Sequence, residues 1–171
     1  MTAAPLRTAA PRRGGRVAIA YAVLWAFTAG GAHLAAVGLL ELTSGAPRDA
    51  LPARLETVVD LAVHNALIAL WPAALVAVGW TVIPVVRTVG DVLVVGQLAG
   101  HGLLVGSALG THPDLWRYLP HLPLEWLALA VPVAAWAVAR RGEPLPPIPT
   151  VLLTGLLVAG AAVVETYAVP I

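Results

Sequence analysis

Long stretches of this chain carry apolar side chains on every face, and nothing else limits its fold as severely. Five such runs lie at about residues 17–42, 57–80, 91–110, 120–140 and 149–171, each near or above the ~20 apolar residues that a helix needs to cross a bilayer. Only 11% of the residues are charged and 59% are hydrophobic, whereas a soluble domain carries about 25% charged residues. The expected solvent is therefore the bilayer. In hydrocarbon every backbone N–H and C=O must find a partner inside the protein, and a helix satisfies them within one segment. The expected fold is all-α, a polytopic transmembrane bundle of about five helices with proline and glycine breaks. It forms a single helical domain over residues 17–171, behind a basic N-terminal tail over residues 1–16.

The first run follows Arg7, Arg12, Arg13 and Arg16. A signal peptide also begins with positive charge, but its apolar core spans only ~7–15 residues, so this longer run is read as a membrane helix. Thr43 to Glu56, with Pro47, Arg48, Asp49, Pro52 and Arg54, reads as a loop. Pro72 kinks the second run tolerably, Thr81 to Gly90 reads as a short connection or broken helix, and Arg141 to Pro147 reads as a stiff turn. Five spans put the termini on opposite sides. With the N-terminus inside, Arg7, Arg12, Arg13, Arg16, Arg87, Arg140 and Arg141 are cytoplasmic, and Arg48, Arg54 and Arg117 are outside, as the positive-inside rule requires. All ten basic residues are arginine, which with abundant Ala, Gly, Pro and Val suggests a GC-rich bacterial genome. The expected location is the bacterial cytoplasmic (inner) membrane, N-terminus cytoplasmic and C-terminus outside. Trp80, Trp116, Trp126 and Trp136 fall near predicted span ends, where indole rings favour the headgroup layer.

Ionisable groups within spans need a reason, since a charge at the bilayer centre costs at least ~2.5–3.5 kcal/mol. His121 and Glu125 are four residues apart, as are Asp60 and His64, and that spacing puts each pair on one helix face. The topology brings Asp60, His64, Asn65, His121, Glu125 and Glu165 to one outer-side polar layer, with His121, Glu125 and Glu165 expected to converge. The competing reading is structural, since interhelical hydrogen bonds contribute ~0.6–2 kcal/mol each. Arg87 and Asp91 are expected to form an interfacial ion pair, and His33, Gln97 and His101 to serve as interhelical partners. Gly96 and Gly100, with Gly102, Gly106 and Gly110, set small residues four apart, as close helix packing requires.

Several chemistries are excluded. The chain has no cysteine, hence no disulfide, thiolate metal site, cysteine nucleophile or palmitoylation. It has no basic stripe with interleaved aromatics, so nucleic acid is not an expected partner. His-Glu-x-x-His, Gly-x-Ser-x-Gly and Walker motifs are missing, and Ser44 and Ser107 are the only serines. No catalytic residue, cofactor or resident metal is assigned. Asp60, His64, His121 and Glu125 remain a compositionally adequate metal quartet without a standard motif.

Leu119-Pro120-His121, followed by Glu125 and an Ala/Leu-rich span, is similar to a Pro-His-Gly-x-x-Glu signature. Asn65 near the start of the second run, the glycines from Gly96 to Gly110, and Glu165-Thr166-Tyr167-Ala168-Val169-Pro170 at the close extend the likeness. From Leu55 to Pro170 the chain resembles the stage II sporulation protein M family of bacterial membrane proteins. It departs from that pattern at Leu122-Pro123, where glycine follows the histidine in members, and at His101-Gly102, where Asn-Gly is usual. The resemblance implies a non-catalytic scaffold or subunit of a cell-envelope or transport complex. The sporulation member belongs to a machine that remodels peptidoglycan, in which partners perform the chemistry, and some relatives accompany transporter ATPases. Expected partners are therefore the lipid bilayer and membrane proteins or an ATPase, with the oligomeric state open. Two other readings stand beside it: a permease or transporter component with an outer proton or solute site, and an intramembrane metal-dependent hydrolase.

Overall fold

The computed structural model describes residues 13–42, 54–144 and 147–168. Its helices are α1 (Arg13–Ala36), α2 (Leu55–Ala77), α3 (Pro84–Thr111), α4 (Leu122–Ala139) and α5 (Pro147–Ala168). A 3-10 turn, Pro113–Tyr118, leads from α3 toward α4, and no strand occurs among the described residues. All five helices are long and apolar enough to cross a membrane, as a multi-pass membrane protein requires.

Helix ends depart from the apolar runs because capping chemistry, not hydropathy, sets them. α1 stops at Ala36 although Val37, Leu39, Leu40 and Leu42 continue the apolar run. Gly38 adopts φ +73°, its N–H bonds to the Ala35 carbonyl at 2.9 Å, and the Leu39 N–H bonds to the Leu34 carbonyl at 2.8 Å. This is the Schellman pairing, whose left-handed residue glycine adopts without strain. The same pairing at Gly79 ends α2 before Trp80. At other ends the helices run further than expected. α3 begins at Pro84, within the expected connection, since a first-turn proline lacks only an N–H that would be unpaired anyway. α2 includes Leu55 and Glu56 of the expected loop, and α1 includes Arg13 to Arg16 of the expected tail. The rest of that tail, with Arg7 and Arg12, the loop prolines Pro47 and Pro52, and the closing Val169-Pro170 lie outside the described residues.

α4 is the central helix: 67% of its span is buried, against 17–28% for the other four. It packs against α1, α2 and α5, while α3 lies along α1 and α2 lies along α5. Two tryptophans expected near span ends are covered by protein. Trp126 (2% exposed) and Trp136 are core residues, because neighbouring helices cover both ends of α4. The Trp126 ring meets Trp25 edge-on, with centroids 6.5 Å apart.

The α1–α3 contact is a close backbone approach. A Cβ on Gly102 would meet the Leu24 carbonyl oxygen at 2.9 Å, one on Gly106 the Ala32 nitrogen at 2.9 Å, and one on Gly110 the Ala35 Cβ at 2.8 Å. Contacts that climb both helices in step make α1 and α3 parallel. Gly96 and Gly100, expected in this stripe, are not part of it: nothing lies within 4 Å of a Cβ added at either. At ~100° per residue, Gly100 and Gly96 point ~160° and ~120° away from Gly102, so the four-residue spacing continues on a different face. Gly90 packs elsewhere, where a Cβ would meet the Trp136 ring at 2.5 Å.

α2 and α3 touch only sparsely, and one hydrogen bond joins them at a meaningful place. Pro72 has no N–H, which leaves the Ile68 carbonyl without its helical donor. Gln97 Nε2 donates to that carbonyl at 2.7 Å, the repair that lets proline persist in a membrane helix. Replacing Gln97 with leucine is expected to leave the carbonyl unpaired and cost ~1–3 kcal/mol, measured by denaturant unfolding in detergent. A change near zero would mean that another donor replaces it. Gln97 is thus the interhelical partner it was expected to be. His101 bonds within its own helix instead, Nδ1 to the Gln97 carbonyl oxygen at 2.8 Å, and His33 lies on an exposed face.

Candidate functional site

α4 and α5 follow one another in the chain and run antiparallel, so the last turn of α5 returns to the first turn of α4. This brings Glu165 to His121 and Glu125. One donor atom from each of the three lies within 4.8 Å of the others. His121 Nε2 stands 3.9 Å from Glu125 Oε2. From α2, the Asn65 Nδ2 donates to the opposite oxygen, Glu125 Oε1, at 2.7 Å. His121 is 6% exposed, and its Nδ1 has no hydrogen-bond partner among the described residues.

Among the described residues no arginine forms an ion pair with Glu125 or Glu165. Among the described residues the arginine ion pairs are Arg16–Glu143, Arg117–Asp114 and Arg140–Asp91. A cavity of about 130 Å³ adjoins Glu125 between α2, α3, α4 and α5. Its polar groups are Asn65, His101 and Glu125, and its apolar wall includes Ile68, Trp126, Leu129 and Val158. That volume is well above the ~10–15 Å³ of probe-occupied space that one water needs.

Asn65, His121, Glu125 and Glu165 therefore come together as expected from their shared depth. Asp60 and His64 do not join them. Both are exposed on α2, and no ion pair links them among the described residues. With Asn65 turned inward, helical geometry carries His64 ~100° and Asp60 ~140° around the axis from it. The possible quartet of Asp60, His64, His121 and Glu125 is consequently not assembled. The place of His101 in the cavity was missed in the sequence, although its four-residue spacing from Gln97 was a usable signal for a shared inward face.

The opposite end of the bundle is rich in arginine and serves packing. Arg16 grips Glu143 with both terminal nitrogens, at 2.6 and 3.1 Å, which ties the start of α1 to the end of α4. The expected Arg87–Asp91 pair is not formed. Arg140 donates Nε to both Asp91 oxygens at 2.8 and 2.9 Å, and Trp136 Nε1 adds a bond at 2.9 Å. Tertiary packing brings the end of α4 against the start of α3, and the Arg140 fork displaces the sequence-local partner. Arg87 keeps a buried Nε without a partner.

Chemically, the cluster offers one imidazole and two carboxylates beside a space large enough for water, with one carboxylate oxygen already oriented by an amide. Such a donor set attracts cations. No family model, curated protein or solved structure matches the chain.

Proposed function

We propose that this protein is a permease or transporter component of the bacterial inner membrane, with His121, Glu125 and Glu165 as an outer-side site for a small cationic solute. The carrying observation is the meeting of two carboxylates and a buried imidazole within 4.8 Å, beside a cavity and with no arginine paired to them among the described residues. Charged groups in a span are expensive and by default functional. Packing alone is better served by the neutral pairing of Gln97 with Ile68. In the proposed orientation the arginine end faces the cytoplasm, in keeping with the positive-inside rule. The chain itself is proposed to be non-catalytic.

A second reading has its own support. Asp60 and His64 lie exposed on a membrane helix, where a neighbouring membrane protein would supply the polar groups that this chain does not. That favours a subunit or scaffold of an envelope complex, as the resemblance to the stage II sporulation protein M family implies.

Reconstitution into liposomes loaded with cation-sensitive dyes separates the two. Saturable cation entry in wild-type vesicles that Glu125→Gln reduces at least tenfold is the expected result. Folded wild-type protein that carries no cation across the bilayer would leave the scaffold reading in its place.

A further inference from the structure

We infer that His121, Glu125 and Glu165 bind a single divalent transition-metal ion of the zinc type, with Asn65 as the positioning residue for Glu125. The inference rests on the reading of this cluster as a cation site and names the cation.

Four observations carry it. The donor set is one imidazole nitrogen and two carboxylate oxygens, which suits borderline divalent ions; thiolate would favour soft metals, and oxygen alone would favour magnesium or calcium. Bonds of ~2.0–2.2 Å place the donors around tetrahedral zinc ~3.4 Å apart. Donors already within 4.8 Å reach that spacing by turning flexible glutamate side chains, without moving a helix.

The second observation is the state of His121. Its residue is 6% exposed, its Nδ1 is unbonded, and its Nε2 is 3.9 Å from Glu125 Oε2, beyond hydrogen-bond reach. A buried nitrogen without a hydrogen bond is costly, and a metal bond at Nδ1 removes that cost; Nε2, the nitrogen that faces Glu125, is equally open to a ligand.

Third, the Glu125 oxygens are already divided. Asn65 holds Oε1, while Oε2 faces His121 and is left for a ligand. An outer hydrogen bond that orients a ligating carboxylate is a regular companion of metal sites. Fourth, a divalent ion neutralises two carboxylates that no arginine among the described residues pairs with. Glu125 also lines the cavity, the space from which water or an exchanging ligand would approach, as open zinc sites require.

The test is calorimetric titration of Zn²⁺ into chelator-stripped, full-length protein in lipid nanodiscs, with circular dichroism as a folding control. The expected result is one Zn²⁺ per chain and a rise in Tm on loading. Binding should be lost in His121→Ala and in the near-isosteric Glu165→Gln. It should weaken ~10–100-fold in Asn65→Ala and be unchanged in His64→Ala. Folded wild-type protein that takes up no Zn²⁺ overturns the inference. So does Zn²⁺ uptake that survives both His121→Ala and Glu165→Gln, which would mark adventitious surface binding. Liposome flux tells the two proposals apart: stoichiometric Zn²⁺ binding without flux of any cation ends the permease reading and keeps the metal site. Flux of protons or monovalent cations in protein indifferent to Zn²⁺ does the reverse.

Discussion

Gly106→Ala is expected to loosen the whole α1–α3 seam, whereas Gly100→Ala, two turns away on the same helix, is expected to be tolerated. An added Cβ at Gly106 falls against the Thr28 carbonyl, with the Ala32 nitrogen at 2.9 Å and the Thr28 carbonyl carbon at 3.0 Å. All are backbone atoms, and no rotamer change moves them aside. The two helices must separate, and the close contacts at Gly102 and Gly110 loosen with them. Overpacking usually costs ~1–3 kcal/mol and sometimes more; the backbone character of the clash puts Gly106→Ala at or above the upper end. At Gly100 nothing lies within 4 Å of an added Cβ, and alanine favours a helix over glycine by up to ~1 kcal/mol. Denaturant unfolding of both variants in mixed micelles provides the comparison. Equal stability of the two would show that the seam is not closed as described.

Trp126→Ala is expected to cost ~3–5 kcal/mol, the usual loss for truncating a buried aromatic residue. The side chain is 2% exposed at the centre of the bundle, its ring meets Trp25 at 69°, and it forms part of the cavity wall. Truncation joins the vacated volume to the existing cavity, so the surroundings cannot collapse to fill it. Trp126→Phe is the informative partner. Its ring preserves much of the contact while removing an indole N–H that has no hydrogen-bond partner. The loss should be smaller than for alanine, because fewer buried atoms are removed. If phenylalanine costs as much as alanine, a cavity water bonded to the indole N–H is the indicated cause.

The existence of the helices was legible because lipid leaves the backbone few choices, and length and apolarity suffice to mark each span. Their ends were less so. Val37 and Leu39 look helical to any hydropathy count, yet Gly38 between them closes α1 through its φ and two backbone hydrogen bonds. The candidate site divides along a similar line. The meeting of His121, Glu125 and Glu165 followed from depth, because antiparallel spans of known order return residues to a common level. Depth could not say which way α2 is rotated. For that reason Asn65 is inside, and Asp60 and His64 are not. Gly96 and Gly100 failed as packing residues for the same rotational reason, and Arg87 lost Asp91 to a residue 49 positions away in the chain.

By itself, the sequence determined that this protein is helical, how many apolar spans it has and which polar residues share a depth, since these follow from hydropathy, span order and the backbone's need for partners. Only the tertiary structure decided the rotation of each helix about its axis. That angle depends on many small contacts between side chains of different helices, and it separates His121, Glu125, Glu165 and Asn65, which meet, from residues that merely lie at the same level.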